Sequence, residues 1–231
     1  MGVSVFLPPA WFGLEEARLE GETFHHLLRV RRLEAGATLQ VVDGEGHARA
    51  AELVQVGKKV ATLRLGEALP ARDPSSRLHL LVGALRPERA SWLVEKAAEL
   101  GVFALRFLNT ERTPRQYGQG RLERYEKVAI AALEQCQGAR LPQISGVHAF
   151  AELPALLPEG PLWVLDPQAE AGLAWPAEVS QGAVLIGPEG GFSPAELDQL
   201  ATLGARGACL GPRILRVETA ALAAAAILLA G

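Results

Sequence analysis

Residues 183–197 read AVLIGPEGGFSPAEL, residue types that suit the grip of a ligand at a strand end. An apolar run, Ala183 to Ile186, leads into Gly187-Pro188-Glu189-Gly190-Gly191. Pro188 presets a turn, and Gly190 and Gly191 free the backbone for tight curvature and close ligand approach. Ser193-Pro194-Ala195-Glu196 has the order of a capping box, with serine at the N-cap, proline at the first helical position and glutamate at the third. Strand, glycine loop and helix start thus follow one another, and ligands of α/β sheets bind at the carboxyl ends of strands. The segment is neither G-x-G-x-x-G nor a Walker loop, which disfavours a dinucleotide or ATP. The same pattern is equally that of a well-made βα turn with no ligand.

A second loop echoes the first. Leu210-Gly211-Pro212-Arg213-Ile214-Leu215-Arg216-Val217-Glu218-Thr219-Ala220 again follows a short apolar run, and it sets an acidic residue and a threonine before a helix. Metal chemistry has little support. Cys136 and Cys209 lie far apart with no C-x-x-C, which disfavours zinc and disulfides and fits a reducing, cytosolic setting. His25 and His26 are adjacent, and adjacent residues do not share a helix face.

The elements that position these loops follow from periodicity. After a linker at 69–76 with two prolines, the pattern predicts strands at Leu78–Leu85, Val102–Leu108, Leu162–Leu165, Ala183–Ile186 and Ala208–Leu210. Helices are predicted at Glu88–Leu100, stopped by Gly101, and at Arg121–Cys136. Alternating strands and helices imply a mostly parallel α/β sheet covered on both faces. The final run, AALAAAAILLA, reads as a buried helix, at the domain centre or a dimer interface; a plain core helix fits equally. Residues 1 to about 70 differ in texture. Thr38–Asp43, His47–Val56 and Lys59–Leu65 read as strands, DGEG at 43–46 as a hairpin turn, and Glu22–Arg32 as helical.

Composition bounds the rest. The chain has 231 residues, 49% of them apolar, enough for a sizeable core. No basic, then apolar, signal segment opens it, and the run Ala220–Ala230 falls short of the roughly 20 residues a membrane helix needs. A net charge of −3 argues against a generic nucleic-acid coat. Yet ten Lys/Arg against seven Asp/Glu between Arg86 and Arg140 leave that stretch at +3, and 19 arginines outnumber 4 lysines overall. Arginine suits phosphate contacts and base stacking; a solvated surface with GC-rich codon usage explains the excess equally well.

The motifs L-I-G-P-E-G-G-F-S-x-x-E at 185–196 and L-G-P-R-I-L-R-x-E-T-A at 210–220 closely resemble those of the SPOUT-class, trefoil-knotted methyltransferases. Within them the chain is similar to the RsmE family, which methylates N3 of a uridine in 16S ribosomal RNA. W-L-V-E-K-A-A-E-L-G-V at 92–102 resembles the family's L-x-x-x-K-A-x-E-L-G-V, Glu111-Arg112-Thr113 its E-R-S, and Glu134-Gln135-Cys136 its E-Q-C. His26–Arg31 and Asp43-Gly44 resemble its N-terminal elements. The resemblance implies a PUA-like β-barrel over 1–70 and a knotted α/β methyltransferase domain over 71–231. It further implies a homodimer, S-adenosylmethionine held in the knot, and a cytoplasmic partner, 16S ribosomal RNA or the small subunit. Two departures concern RNA contact. Gln137-Gly138 stands where the family has Gly-Arg, leaving Arg140 nearby, and Ser4-Val5-Phe6 stands where an arginine often precedes the phenylalanine.

The resemblance also implies roles. The cofactor would be clamped by Ile186, Gly187, Pro188, Glu189, Gly190 and Gly191 of the first loop. Leu210, Gly211, Ile214, Leu215, Thr219 and Ala220 of the second would face them, with Leu165 and Asp166 as a third wall. Arg213 or Arg216 would stabilise negative charge on the uracil, and Glu189 or Glu218 would accept its N3 proton. Either glutamate could instead bind cofactor amines or cap a helix. Arg29, Arg86, Lys96, Arg112 and Arg140 are the candidate RNA contacts, each open to a plain surface role. Lys96 and Glu99 also have the spacing of an i,i+3 ion pair. Cys136 reads as buried and unreactive. Competing readings are a non-catalytic RNA-binding module and a SPOUT enzyme acting on another base or on transfer RNA.

Overall fold

The structure, a computed structural model, describes residues 3–25, 27–28, 33–114, 122–176 and 178–229. Arg29 and His26 lie outside them. The chain divides into two compact units, residues 1–73 with 133–141, and 74–132 with 142–231.

The first unit is built on β1 (Ser4–Phe6), β2 (Glu16–Leu19), α1 (Gly21–His25), β3 (Thr38–Val42), β4 (Ala48–Val56) and β5 (Ala61–Leu69). The sheet order is β1-β3-β4-β5-β2. β1 runs parallel to β3, and the other neighbours are antiparallel. Alternation places Leu39 and Val41, Ala51 and Leu53, and Leu63 and Leu65 in one core. The DGEG turn forms as read. Gly44 and Gly46 take φ of 79° and 102°, conformations that favour glycine. Buried Asp43 accepts from the backbone N–H groups of Glu45 and His47 at 2.8 and 3.0 Å. β1 and β2 were not read from sequence; at three and four residues they are too short to show a period. The helix expected at Glu22–Arg32 begins as α1, and part of that span lies outside the described residues. Residues 133–141 complete this unit: Leu133 and Ala139 pack with Val42 and Ala48, and Asp73 Oδ1 accepts from Ala139 and Arg140 N–H.

The second unit contains β6 (Arg77–Gly83), α2 (Pro87–Glu99), β7 (Ala104–Asn109) and most of α3 (Leu122–Cys136). It continues with β8 (Gln143–Ala149), α4 (Leu153–Leu156), β9 (Leu162–Leu165), β10 (Gln181–Ile186), α5 (Pro194–Thr202), β11 (Arg206–Ala208) and α6 (Val217–Leu229). The six strands, in the order β11-β9-β10-β6-β7-β8, are parallel throughout. Leu78, Leu80, Leu81 and Val82 are fully buried, as a strand covered on both faces requires. α2 stops at Gly101, whose φ is 74°. α6 packs on β6, β10 and α2, with Ala221, Ala224 and Ala225 buried. β8 was missed because Gly146 interrupts its alternation, and β11 lies two residues earlier than expected.

Candidate active site

β11, β9 and β10 are parallel neighbours, so their carboxyl ends open at one edge of the sheet. The loops that follow them enclose a cavity of about 810 Å³. Leu165 to Gln168 form one wall, Ile186 to Glu189 with Gly191 and Phe192 a second, and Leu210, Gly211 and Arg213–Val217 a third. Leu197, Leu200, Ala201 and Ala205 add an apolar side, and Arg112 reaches the lining from the loop after β7.

The first loop is held firmly. Gly191 N–H donates to Pro188 O at 2.8 Å, and Gly191 takes a φ of 69°. Ser193 caps α5 as read: its Oγ accepts from Glu196 N–H, and Glu196 Oε2 accepts from Ser193 N–H at 2.8 Å. Gly83, at the end of β6, lets the loop sit against the neighbouring strand; a Cβ there would lie 2.5 Å from Pro188 N. Gly190 is glycine for a different reason than expected. A Cβ on it would meet Arg112 Cβ at 3.3 Å, so the close approach is to Arg112, whose Nη1 donates to Gly190 O at 3.1 Å.

The third wall is open by contrast. Ile214 is 88% exposed, and Arg213 and Arg216 also face solvent. Asp166 sits in a tight turn: its N–H donates to Ala208 O and its Oδ1 accepts from Gln168 N–H.

Glu189 and Glu218 share one cation. Arg89 Nη1 lies 3.1 Å from Glu189 Oε1 and 3.6 Å from Glu218 Oε1. Glu218 is buried, and among the described residues its Oε2 has no hydrogen-bond partner.

The family described as RNA methyltransferase domain matches residues 72–229, and its RNA methyltransferase PUA domain matches residues 19–66. Ribosomal RNA small subunit methyltransferase E of Helicobacter pylori is 30% identical over 78% of this chain and 79% of its own length. The chain belongs to the ribosomal RNA small subunit methyltransferase E family. Its Bacillus subtilis member is 28% identical over 90% of this chain and 89% of its own length. The Neisseria gonorrhoeae member, solved with S-adenosyl methionine, superposes with a TM-score of 0.87 at 26% identity, covering 98% of this chain and 96% of that one. The α/β class and the N-terminal PUA domain expected from the sequence both stand.

Of the residues singled out in the sequence for the cofactor, Leu165, Asp166, Ile186, Gly187, Pro188, Glu189, Gly191, Leu210, Gly211, Ile214, Leu215 and Ala220 line the cavity, while Gly190 and Thr219 do not. Arg213 and Arg216 line it, but Glu218 does not. Among the described RNA candidates Arg112 alone reaches it; Arg86 is exposed at the start of α2, and Arg140 belongs to the other unit. Lys96 is held by Glu95 and Glu99, both at 2.7 Å, and these bonds raise its pKa above the usual lysine value. Cys136, the last residue of α3, is half-buried, not buried. Sequence reading missed Gly83, Arg89 and the apolar side on α5. Only the last left a signal, in the spacing of Leu197, Leu200 and Ala201.

Proposed function

We propose that the chain methylates N3 of a uridine in 16S ribosomal RNA, using S-adenosylmethionine bound in the cavity at the ends of β9, β10 and β11. The convergence of three strand-end loops on one cavity carries this reading. Its volume of about 810 Å³ falls in the range of roughly 300–1,000 Å³ typical of small-molecule sites. In this reading the loops are those of the trefoil knot implied by the resemblance.

The lining fits the cofactor. Leu165, Ile186, Leu200 and Leu210 offer apolar surface for an adenine, and the glycine loop offers backbone groups. Asp166 and Glu189 offer carboxylates for a cationic sulfur or amine. When bound, the cofactor supplies an electrophilic methyl group. The chain's own residues then position and desolvate. The N3 of uracil bears a proton on its pairing edge, so the base must be unpaired or extruded. The N3 proton leaves ahead of methyl transfer, and until the N–C bond forms negative charge spreads over N3 and the flanking carbonyl oxygens. Arg213 and Arg216, at the rim, stabilise that charge; arginine stays protonated and is a poor base. Glu189 is favoured over Glu218 as proton acceptor, because Glu189 lines the cavity and Glu218 does not.

Arg112 contacts RNA beside the cavity, with Arg29, Arg86, Lys96 and Arg140 as further phosphate contacts. A homodimer is supported by half-exposed Trp92 on α2 and Ile227 on α6, two helices that pack together. Among the described residues no helix is long and apolar enough to cross a membrane; action on ribosomal RNA would place the protein in the cytoplasm.

Calorimetry with S-adenosylmethionine and a modification map of 16S RNA from a deletion strain test the reading together. Saturable binding and loss of one N3-methyluridine are expected. No heat at millimolar cofactor, or loss of a mark from transfer RNA alone, would overturn it.

A further inference from the structure

Glu196 does more than a capping box asks. The cap needs one carboxylate oxygen, and Oε2 fills that role by accepting from Ser193 N–H. The other oxygen, Oε1, accepts from the backbone N–H of Glu111 at 2.8 Å, across 85 residues of sequence. Glu196 is 6% exposed, so both bonds form away from solvent, where a lost partner is costly.

The segment so held is a stiff turn. Thr110 and Thr113 are buried, Thr110 N–H donates to Thr113 Oγ1 at 2.9 Å, and the two hydroxyls lie 3.0 Å apart. Thr113 N–H returns a bond to Thr110 O at 3.2 Å. Between them Arg112 projects to the cavity lining, with Nη1 on Gly190 O. One of its five N–H donors is used there; the fork geometry leaves others for an anion.

We propose that Glu196 is a positioning residue for RNA binding: it fixes the 110–113 turn so that the Arg112 guanidinium stands at the cavity rim to receive a phosphate of the bound strand. The inference rests on the RNA methyltransferase reading above.

A double-mutant cycle on the full chain tests it, with isolated small ribosomal subunits lacking the mark as substrate. Arg112→Ala should raise KM for the subunit about tenfold with kcat little changed and a smaller loss of cofactor affinity, because its bond to Gly190 O also steadies the first loop. Glu196→Ala should do the same, and the double variant should be no worse than the poorer single one, because both changes remove one function. Ser193→Ala, which removes the Oγ cap and leaves the Glu196–Glu111 bond, should lower the melting temperature without raising KM. If Glu196→Ala does not fold, Glu196→Gln takes its place in the cycle; an amide oxygen cannot replace both carboxylate oxygens. Multiplicative losses in KM, or a Ser193→Ala effect as large as that of Glu196, would overturn the inference. A wild-type protein that binds no cofactor and transfers no methyl group would overturn the functional reading, and this inference with it.

Discussion

The loop at 186–192 and the loop at 209–216 look alike in sequence and differ in how the fold treats them. The first is pinned on three sides, by Gly83 beneath Pro188, by Arg112 on Gly190 and by the capped start of α5. The second carries Ile214 at 88% exposure and two solvent-facing arginines. One wall of the cavity is therefore built before a ligand arrives, and the other has apolar surface left to bury. Pre-organised groups lower the entropic cost of binding, whereas an open loop must be ordered as the ligand binds.

The largest break in this comparison should come from Gly83→Ala. Its Cβ would fall 2.5 Å from backbone atoms of the first loop, and backbone cannot yield as a flexible side chain can. We expect cofactor affinity to fall about a hundredfold, near 2.7 kcal/mol, by calorimetry. Unchanged affinity would mean the first loop is not rigid.

Acid should act on neither loop in particular. His79 lies in β6, and burial first, then the nearby Arg106 and Arg77, lowers its pKa to about 4. The folded state thus resists protonation that the unfolded chain accepts near 6.5. No cost exists above that value; it grows as pH falls from about 6.5 to 4 and levels below, reaching at most about 3 kcal/mol. Urea melts across that range should lose stability, and His79→Leu should flatten the slope. A slope unchanged in the variant would assign the effect elsewhere.

Two smaller tests address the open loop. Arg213→Ala should reduce turnover about tenfold with less effect on cofactor affinity, as a contact to developing charge requires; an equal loss of affinity would move it to cofactor binding. Ile214→Ala should change stability by less than about 0.5 kcal/mol, since it is exposed, yet weaken cofactor binding severalfold. A loss of stability instead would show that Ile214 is packed in the free protein.

The contrast between the loops also explains what could be read from sequence. The capping box, the DGEG hairpin and the apolar strands are local patterns, and they formed close to where the residues placed them, β11 two residues early. Gly83, Arg89 and the second oxygen of Glu196 matter through partners about 85 to 105 residues away, and no local period encodes such a distance. The return of residues 133–141 to the first unit was hidden for the same reason, whereas β1 and β2 were too short to show a period. Gly190 shows the limit from the other side. Its type signalled close approach correctly, but sequence could not say that the visitor was Arg112.

The parallel sheet sets an order on assembly. β9 is flanked by β11 on one side and β10 on the other, and both follow it in the chain. A nascent chain can pair β6 and β7 early, yet the cavity lacks a wall until Ala208 through Val217 have been made and α6 has docked. Parallel pairings of this kind also close slowly. With the cofactor in this cavity, as proposed above, its retention is a late checkpoint of synthesis: a ribosome-stalled fragment ending before Arg206 would hold most of the sheet and none of the ligand.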